Sequence, residues 1–375
     1  MLLLLFLLAP VAGAVVYCIL IIVATYRYRR VPPPEPARPL PMSILKPLSG
    51  IDEGLEENLR TFFEQDYPAF EILFAVREVN DPAVSVVRKL QREYASVPSR
   101  LIFTGEPPYP NAKVFSLDQM MRQAAHDLLV MSDSDVRVTP GMLNVLSAEL
   151  QGDNVALVTC PYRAAPGKSF WSRLEGIGLN TEFIGGVLVA RMLDGMKFAI
   201  GPTIAARRQS LERIGGFNRL KDYLAEDFVM GKLLAETGEC VILSSYVIEH
   251  RIGSQDLSAN LRHRLRWNRS TRRSRPWGYV GQAFTNPLPL ALIFWAAEPA
   301  WWPVAAITVF FRAVAGWITA EWVLRDPLTR RSWWLVPVQD IASFLMWMAG
   351  FFGNTILWRG RTYRLLADGT FELQT

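Results

Sequence analysis

Cysteine is scarce in this chain of 375 residues, and its three cysteines lie far apart. Cys18, Cys160 and Cys240 form no C-x-x-C pair. Disulfide-stabilised small domains and structural zinc sites both need several cysteines at characteristic spacings. The pattern therefore argues against both classes and suits a reducing compartment.

The chain also lacks a strong excess of charge of one sign and a repeat of fixed period. Forty basic and 35 acidic residues give a formal net charge of +5, which does not by itself indicate a nucleic-acid partner. Apolar residues, by contrast, make up 50% of the chain, and 12 residues are tryptophan. The apolar excess is concentrated at the two ends, as in a membrane protein.

No basic residue precedes the first long apolar run, residues 2–24. The A-G-A triplet at 12–14 resembles a cleavage site, but a signal peptide normally begins with a basic segment. The run is long enough to span about 30 Å of hydrocarbon, and the arginines that follow within 27–30 favour the cytoplasmic side. We therefore predict an uncleaved anchor over residues 1–26 with its N terminus outside, and a stiff Pro-rich linker over 27–41.

Strand-like apolar runs alternate with helical patterns from about residue 42 onwards. This alternation predicts an α/β domain over 42–284, with a mostly parallel sheet and helices on both faces. The predicted strands are Met42–Leu45, Phe70–Val76, Leu101–Phe103, Leu128–Met131 and Val155–Thr159. The predicted helices lie near 53–65, 82–95, 115–126 and 140–150.

Apolar character returns after about residue 285. The stretch 288–323 is too long for one span and is compatible with two short helices, or with one span and an interfacial segment. A further run, 333–357, is long enough to cross once. Because basic residues flank both stretches, their topology stays open. We assign 285–357 to a C-terminal membrane region and 358–375 to a tail.

The most informative short motif is Asp133-Ser134-Asp135, which follows a strand-like run. Two carboxylates spaced i, i+2 at a strand end can converge on one divalent cation. Magnesium and manganese favour carboxylate and phosphate oxygens, so such a pair suits an ion that carries a nucleotide diphosphate. Ligands of open α/β sheets bind at this edge. A short acidic triplet alone is more often a solvated turn, but membrane-length segments at both chain ends favour the functional interpretation.

Two further acidic positions allow both a structural and a functional interpretation. Asp81 precedes Pro82, so it can cap a helix, or accept hydrogen bonds from a base or ribose. Both roles can hold together. Glu226-Asp227 opens a helical pattern, where acids favour the helix dipole. A carboxylate there can alternatively take a proton from an acceptor hydroxyl.

Seven arginines and His263 are concentrated between residues 261 and 275. Such a stripe can meet nucleic acid, anionic headgroups or a diphosphate. The apolar run nearby disfavours nucleic acid, so we assign the outer arginines to headgroups. Arg266 suits a diphosphate because guanidinium binds it in a bidentate way. One helical face carries Arg262, Arg266, Arg269 and Arg273.

Taken in this order, these segments resemble the ceramide glucosyltransferase family, a branch of the inverting GT-A-type glycosyltransferases. The resemblance runs from about residue 42 to about 290. It rests on Lys46-Pro47-Leu48, on Phe62-Phe63-Glu64-Gln65-Asp66-Tyr67-Pro68, on Asn80-Asp81-Pro82-Ala83, on Asp133-Ser134, on Ala225-Glu226-Asp227 and on Arg266-Trp267. The family pattern D…D…D…(Q/R)xxRW falls on Asp81, Asp133, Asp227 and the segment from His263 to Trp267.

Two departures from the family pattern are present. His263 stands where Gln or Arg is typical, and Asp135 completes a full DxD where animal members resemble DxG. The His-x-Leu-Arg-Trp variant and the segment TNPLPL at 285–290 look more like bacterial relatives. Some of these relatives act on hopanoid lipids.

The resemblance implies a role for each matching residue. Asp81 would hold the uridine of a UDP-sugar, and Asp227 would be the general base that deprotonates a lipid hydroxyl. Asp133 and Asp135 would bind Mg²⁺ or Mn²⁺, with Asp135 the weaker assignment. The implied donor-binding residues are Asp81, Asp133, Lys113, His263, Arg264, Arg266 and Trp267.

Together with the apolar segments, the resemblance implies a GT-A-like integral membrane enzyme with a cytoplasmic catalytic domain, in a bacterial inner membrane. It would transfer a hexose from a UDP-sugar to a ceramide-type lipid, with inversion of the anomeric centre. UDP-glucose is the leading candidate for the donor. UDP-N-acetylglucosamine transfer to a hopanoid or other lipid is an alternative, as is a non-catalytic lipid-binding protein. A processive polysaccharide synthase shares the motifs but usually needs a larger bundle of membrane helices. Sugar, acceptor lipid, metal identity and oligomeric state stay open.

Overall fold

The computed structural model describes residues 2–35, 38–358 and 360–374, with side chains from residue 7 onwards. Residue 1 of the predicted anchor, residues 36 and 37 of the predicted linker, and residues 359 and 375 of the predicted tail lie outside this set. The strands are β1 (Met42–Pro47), β2 (Phe70–Val76), β3 (Ser99–Phe103), β4 (Leu128–Ser132), β5 (Val136–Arg137), β6 (Val155–Thr159), β7 (Tyr162–Pro166), β8 (Thr203–Arg207), β9 (Cys240–Leu243), β10 (Ile248–Gly253), β11 (Thr355–Trp358), β12 (Arg361–Leu365) and β13 (Phe371–Leu373).

The helices alternate with the strands up to β10 and then dominate the chain. They are α1 (Leu2–Arg29), α2 (Leu55–Phe63), α3 (Ala83–Glu93), α4 (Ala112–Gln123), α5 (Met142–Leu150), α6 (Phe170–Gly178), α7 (Ile184–Asp194), α8 (Arg208–Arg213), α9 (Glu226–Glu236), α10 (Leu257–Ser274), α11 (Pro276–Gly281), α12 (Pro287–Ala297), α13 (Trp302–Ile318), α14 (Pro327–Arg331) and α15 (Val336–Gly350). Two π-helical turns, Leu179–Phe183 and Thr319–Val323, follow α6 and α13.

The central sheet has the strand order β3-β2-β1-β4-β8-β6-β9 within the described residues. Only β8 runs antiparallel to its neighbours in this sheet. The apolar runs at β4 and β6 are buried throughout because helices cover both faces of the sheet. The predicted mostly parallel α/β sheet with flanking helices is confirmed, and each predicted strand and helix overlaps an observed one.

A second sheet, β5-β10-β7, lies at the end of β4. The strand β5 starts directly after the DxD motif, and Val136 on it pairs with His250 on β10. This pairing brings a histidine of the distant β10 segment beside Asp135.

Two helical segments of the described chain are long and apolar enough to cross a membrane, namely Leu7–Arg29 and Pro299–Val323. The helix α1 packs against α7, α12 and α13, so the N-terminal helix and the C-terminal helices form one layer. The stretch 288–323 therefore contains one long helical segment and the shorter α12.

The run 333–357 does not form one membrane-crossing helix. Its helix α15 has 15 residues, about 22 Å of helix, which is shorter than the roughly 30 Å hydrocarbon core. The run then ends in β11, the first strand of a three-stranded antiparallel sheet with β12 and β13. Most of the segment assigned to a tail is therefore folded. Its strands have five residues or fewer, too short for a clear periodic signal.

A buried ion pair joins the C-terminal helices to the α/β domain. Arg312 on α13 donates from Nε and Nη2 to the two carboxylate oxygens of Asp340 on α15, at 2.8 and 2.6 Å. Its Nη2 also donates to Thr181 Oγ1 at 3.1 Å, within the first π-helical turn. Both partners are almost fully buried. The pair thus fixes the packing of three segments.

Removing one partner of this pair should destabilise the protein strongly. We expect Asp340→Ala to lower the free energy of unfolding by roughly 3–5 kcal/mol, because Arg312 is left buried and uncompensated. The double variant Arg312→Met/Asp340→Leu should recover most of that loss. Glu321→Gln, which breaks an ion pair with the exposed Arg330, is the control and should cost about 1 kcal/mol or less. Thermal unfolding in detergent measures all three, and equal melting temperatures for Asp340→Ala and the control would contradict the assignment.

Candidate functional site

One cavity of about 1090 Å³ opens at the edge of the central sheet where β1, β2 and β4 end. It extends from the loops after these strands to helices α1, α7 and α15. The structure brings every residue predicted for the site to its wall: Asp81, Lys113, Asp133, Asp135, Asp227, His263, Arg264, Arg266 and Trp267.

The DxD loop is held rigidly after β4. The Asp133 N–H donates to the Pro202 carbonyl at 3.0 Å. On the other side, the fully buried Lys46 donates to the Asp133 carbonyl and to Ser132 Oγ, and its ammonium lies 3.7 Å from the Phe62 ring centroid. Burial lowers the pKa of Lys46 to about 7. The lysine of the Lys-Pro-Leu motif therefore positions the acidic loop from beneath.

Lys113 is the cation at the centre of the acidic residues. Its Nζ lies 2.8 Å from Asp133 Oδ1 and 3.0 Å from Glu226 Oε1. Burial alone would lower the pKa of Lys113, but Asp133 and Glu226 outweigh it and raise the pKa. The helix α4 carries this lysine, and Asn111 caps the helix by accepting from the Val114 N–H at 3.1 Å. Lys113 therefore stays charged and joins two separate segments of the site.

Asp227 lies in the first turn of α9, directly over the backbone of Gly201. A Cβ at Gly201 would come within 2.8 Å of Asp227 Oδ2, so only glycine allows this approach without a shift. Burial and the adjacent Glu226 raise the pKa of Asp227 to about 7, against the lowering effect of Lys113. A carboxylate with this pKa is matched to accepting a proton near neutral pH.

His250 is a site residue that sequence reasoning missed. Its Nε2 lies 3.2 Å from Asp135 Oδ2, while Asp135 Oδ1 and His250 Nδ1 have no hydrogen-bond partner in the described part of the protein. Burial acts to raise the pKa of Asp135, but His250 and Lys46 together hold it below its usual range. The sequence offers only a weak indication of this residue, namely a histidine that alternates with apolar residues. His250 occupies an inward position of β10 between the buried Ile248 and Ile252.

The donor set around Asp135 fits a divalent cation. Carboxylate and imidazole are ordinary ligands of Mn²⁺, and a buried carboxylate oxygen without a partner is what such an ion would satisfy. Among the described residues, no group of three or more His, Cys, Asp or Glu side chains is preassembled as a metal cluster. An ion bound by one or two carboxylates completes its shell with water and substrate phosphates, which matches this sparse set.

The predicted arginine stripe is confirmed as the helix α10, but its side chains divide between different roles. Arg266 lies with its guanidinium 6.0 Å from the Trp358 ring centroid at the cavity wall. Trp267 packs edge-on to Phe183, with 6.0 Å between the ring centroids. The His263 ring lies 5.6 Å from Trp267, centroid to centroid. These three members of the predicted donor site share one side of the cavity.

Two further arginines of α10 donate hydrogen bonds to the C-terminal segments. Arg264 donates from Nη2 to Ser343 Oγ on α15 at 3.1 Å, and burial lowers its pKa. Arg269 donates to the backbone carbonyls of Phe352 and Thr355 at 3.1 and 2.5 Å. Arg269 therefore joins α10 to the segment that follows α15. The headgroup contact expected of the outer arginines stays a prediction.

At the far end of the cavity, Asp81 has the helix-capping role that its position before Pro82 predicts. Its carboxylate accepts from the Gly50 N–H at 3.1 Å and from the Ala83 N–H at 2.9 Å, at the start of α3. The same residue lines the cavity. The carboxylate therefore orders two loops and presents itself to the interior.

The C-terminal sheet closes one side of the cavity with Trp358, Arg361 and Tyr363. Arg361 Nη1 lies 2.9 Å from Glu106 Oε1, after β3. The Phe371 N–H donates to the Asp222 carbonyl at 2.9 Å, near the start of α9. Residues assigned to a tail thus build part of the site wall.

Replacing Lys113 tests the balance of charge in the site. Lys113→Met should lower the free energy of unfolding by about 3 kcal/mol at pH 8. At that pH the neighbouring carboxylates are ionised, and the substitution leaves them buried without a cation. At pH 5, below the pKa of about 7 for Asp227, the loss should be smaller since carboxyls with raised pKa are protonated. Thermal unfolding at the two pH values measures this. Lys232→Met removes an exposed lysine 3.8 Å from Glu236 and should change little at either pH. A loss independent of pH would contradict the electrostatic account.

Comparisons with known proteins agree with this geometry. A family model described as Glycosyl transferase family 21 matches residues 6–371. Ceramide glucosyltransferase 1 of Caenorhabditis elegans is 30% identical over 233 residues, which cover 62% of this chain and 49% of that protein. Ceramide glucosyltransferase of Komagataella phaffii is 34% identical over 149 residues, covering 36% and 29%. The chain thus spans about half, or less, of the length of these curated relatives.

A solved structure shares the fold along most of both chains. The mannosyltransferase PcManGT from Pyrobaculum calidifontis, in complex with GDP-Man and Mn²⁺, has a TM-score of 0.59 and 19% identity. The match covers 91% of this chain and 97% of that one. With the family model matching nearly the whole sequence, the chain belongs to glycosyltransferase family 21 and has a GT-A-like fold.

Proposed function

We propose that this enzyme transfers a hexose from a UDP-sugar to the hydroxyl of a ceramide-type membrane lipid, with inversion of the anomeric carbon. UDP-glucose is the leading candidate for the donor. The observation that carries the proposal is the continuity of one cavity. The acids at the sheet edge line one end of it, and helix α1, which is long enough to cross a membrane, lines the other. A lipid acceptor stays in the bilayer, so an enzyme that glycosylates it needs a cavity that connects the membrane segments with the donor site.

The nucleotide end of the cavity supports donor binding. Asp81 would accept hydrogen bonds from the uridine, as in the sequence prediction. Asp133, Asp135 and His250 would hold a divalent ion, which supplies electrostatic stabilisation of the diphosphate when bound. The structural neighbour PcManGT was solved with a nucleotide sugar and Mn²⁺, which supports this class of donor complex. Arg266 and Lys113 would add fixed positive charge where the leaving diphosphate develops its own.

Asp227 would act as the general base. Its pKa of about 7 and its place on the cavity wall suit removal of the proton from an acceptor hydroxyl during attack on the anomeric carbon. One in-line displacement of UDP then inverts that carbon. The missing side chain at Gly201 leaves room for this carboxylate, since a Cβ there would lie 2.8 Å from Asp227 Oδ2.

Membrane attachment follows from the same layout. The segments Leu7–Arg29 and Pro299–Val323 would hold the enzyme at the bilayer, with the catalytic domain on the cytoplasmic side, where the arginines that end α1 favour it. Nucleotide sugars are made on that side.

The direct test incubates purified protein in detergent or nanodiscs with labelled UDP-glucose or UDP-N-acetylglucosamine and a lipid panel. The panel contains ceramide, a hydroxylated hopanoid and diacylglycerol. We expect a mass increase of one hexose on ceramide with UDP-glucose. Transfer of N-acetylglucosamine to the hopanoid alone would replace the proposed donor and acceptor. No lipid-linked sugar in any combination would contradict the enzymatic proposal.

The pH profile of transfer should report the ionisation of Asp227. Because the base acts as a carboxylate, kcat/KM should fall as pH drops below about 7 and level off above it. Asp227→Asn should lose roughly 10²–10⁴ in rate and show no such step. Asp194→Asn, a change at an exposed aspartate paired with Lys197, is the matched control and should keep both rate and profile. Retained transfer by Asp227→Asn would overturn the base assignment.

Metal dependence should be governed by Asp135 and His250 more than by Asp133. Lys113 already neutralises Asp133 at 2.8 Å, whereas Asp135 Oδ1 has no protein partner among the described residues. This reverses the weaker metal role that the sequence assigned to Asp135. We expect Asp135→Asn and His250→Gln to raise the Mn²⁺ concentration for half-maximal transfer by roughly 10–100-fold. An unchanged metal titration in both variants would contradict this assignment.

A further inference from the structure

A cluster of polar side chains lines the membrane end of the cavity, away from the acids. Its centre is Glu182, in the π-helical turn between α6 and α7. Thr285 Oγ1 and Ser343 Oγ donate to its two carboxylate oxygens at 3.0 and 2.8 Å. Asn286 extends the cluster by donating from Nδ2 to Thr285 Oγ1 at 3.1 Å. Three segments that are distant in sequence thus meet at one lining surface of the cavity.

The hydrogen-bond donors of this cluster are satisfied within the protein. Both hydroxyl groups donate to Glu182, and the Asn286 amide donates to Thr285 and to the Gln282 carbonyl at 3.2 Å. The groups of this cluster that can still bind a ligand are hydrogen-bond acceptors. Asn286 is 1% exposed, and its Oδ1 has no hydrogen-bond partner in the described part of the chain. Each Glu182 oxygen receives one of these bonds and can accept another.

Glu182 also makes no ion pair among the described residues. Burial raises the pKa of its carboxyl, and Arg312, which pairs with Asp340, lowers it only from beyond ion-pair distance. A buried acceptor without a partner costs free energy unless a ligand supplies a donor. The surface therefore suits a ligand that brings N–H or O–H groups.

Apolar groups border the same end of the cavity. Tyr17 on α1, Val187 and Ala190 on α7, and Met346 on α15 line it. A ligand placed here would have an apolar body against the helices and a donor-bearing polar head at Glu182.

We propose that Glu182, Asn286 and Thr285 form the acceptor-recognition site and select lipids that carry an N–H or O–H donor beside the hydroxyl that reacts. This inference rests on the proposed function, since it names the acceptor chemistry of that same site. An amide-linked lipid such as ceramide meets the requirement through its amide N–H, and a polyhydroxylated hopanoid meets it through further hydroxyls. Diacylglycerol does not, because its ester groups only accept hydrogen bonds.

The test compares kcat/KM of purified enzyme for ceramide, N-methylated ceramide, a polyhydroxylated hopanoid and diacylglycerol. We expect N-methylation to reduce kcat/KM about tenfold in the unmodified protein, since Asn286 or Glu182 is then left unpaired. In Glu182→Gln and Asn286→Ala, this discrimination should shrink to about twofold or less. If the hopanoid is used and ceramide is not, further hydroxyls rather than an amide are the recognised donors.

Glu321→Gln is the matched control, because Glu321 lies in the other π-helical turn and pairs with Arg330 outside the cavity. It should keep the full discrimination. Equal use of ceramide, its N-methyl form and diacylglycerol by unmodified enzyme would overturn the acceptor site while leaving the glycosyltransferase proposal intact. So would unchanged discrimination in both variants. No transfer to any lipid would instead contradict the proposed function.

Discussion

The contact of Lys113 with Asp133 and Glu226 is the interaction on which the site depends. Several carboxylates converge at the edge of the sheet. Buried like charges that lie close together repel one another. One lysine on α4 holds the acids of β4 and α9 together, and so links the sheet edge to the helix that carries Asp227. The same cation would remain near the diphosphate of a bound donor. A single charge therefore supports both the fold of the site and its proposed chemistry.

The second constraint is the layer of helices around the cavity. The helix α1 contacts α7 and α13, while α15 carries Asp340, which pairs with Arg312 on α13. These contacts place the helices against the catalytic domain so that one cavity extends from Asp81 to Tyr17. A flexible attachment would leave the acceptor hydroxyl without a fixed direction. Packing of the helices against the domain would instead supply the orientation that the proposed in-line displacement needs.

Much of this could be predicted from local sequence. The strands β2 and β6 begin and end where the apolar runs do. The acids at Glu226-Asp227 mark the start of α9, and the spacing of the arginines locates α10. What could not be predicted depends on contacts between distant segments. His250 becomes a site residue only because β10 pairs with β5, and Trp358 only because the last strands fold back beside Asp222. The side chains of α10 show the same limit. Helical spacing located the stripe, but tertiary contacts decide that Arg266 faces the cavity and Arg269 does not.

The central claim is that nucleotide and lipid meet in one cavity beside Asp227. The most direct measurement is a structure of the protein in a lipid nanodisc with UDP, Mn²⁺ and ceramide. The account predicts uracil at Asp81, the metal between the diphosphate and Asp135, and the lipid hydroxyl facing Asp227. Nucleotide bound outside this cavity, or lipid bound on a face separated from Asp227, would contradict it.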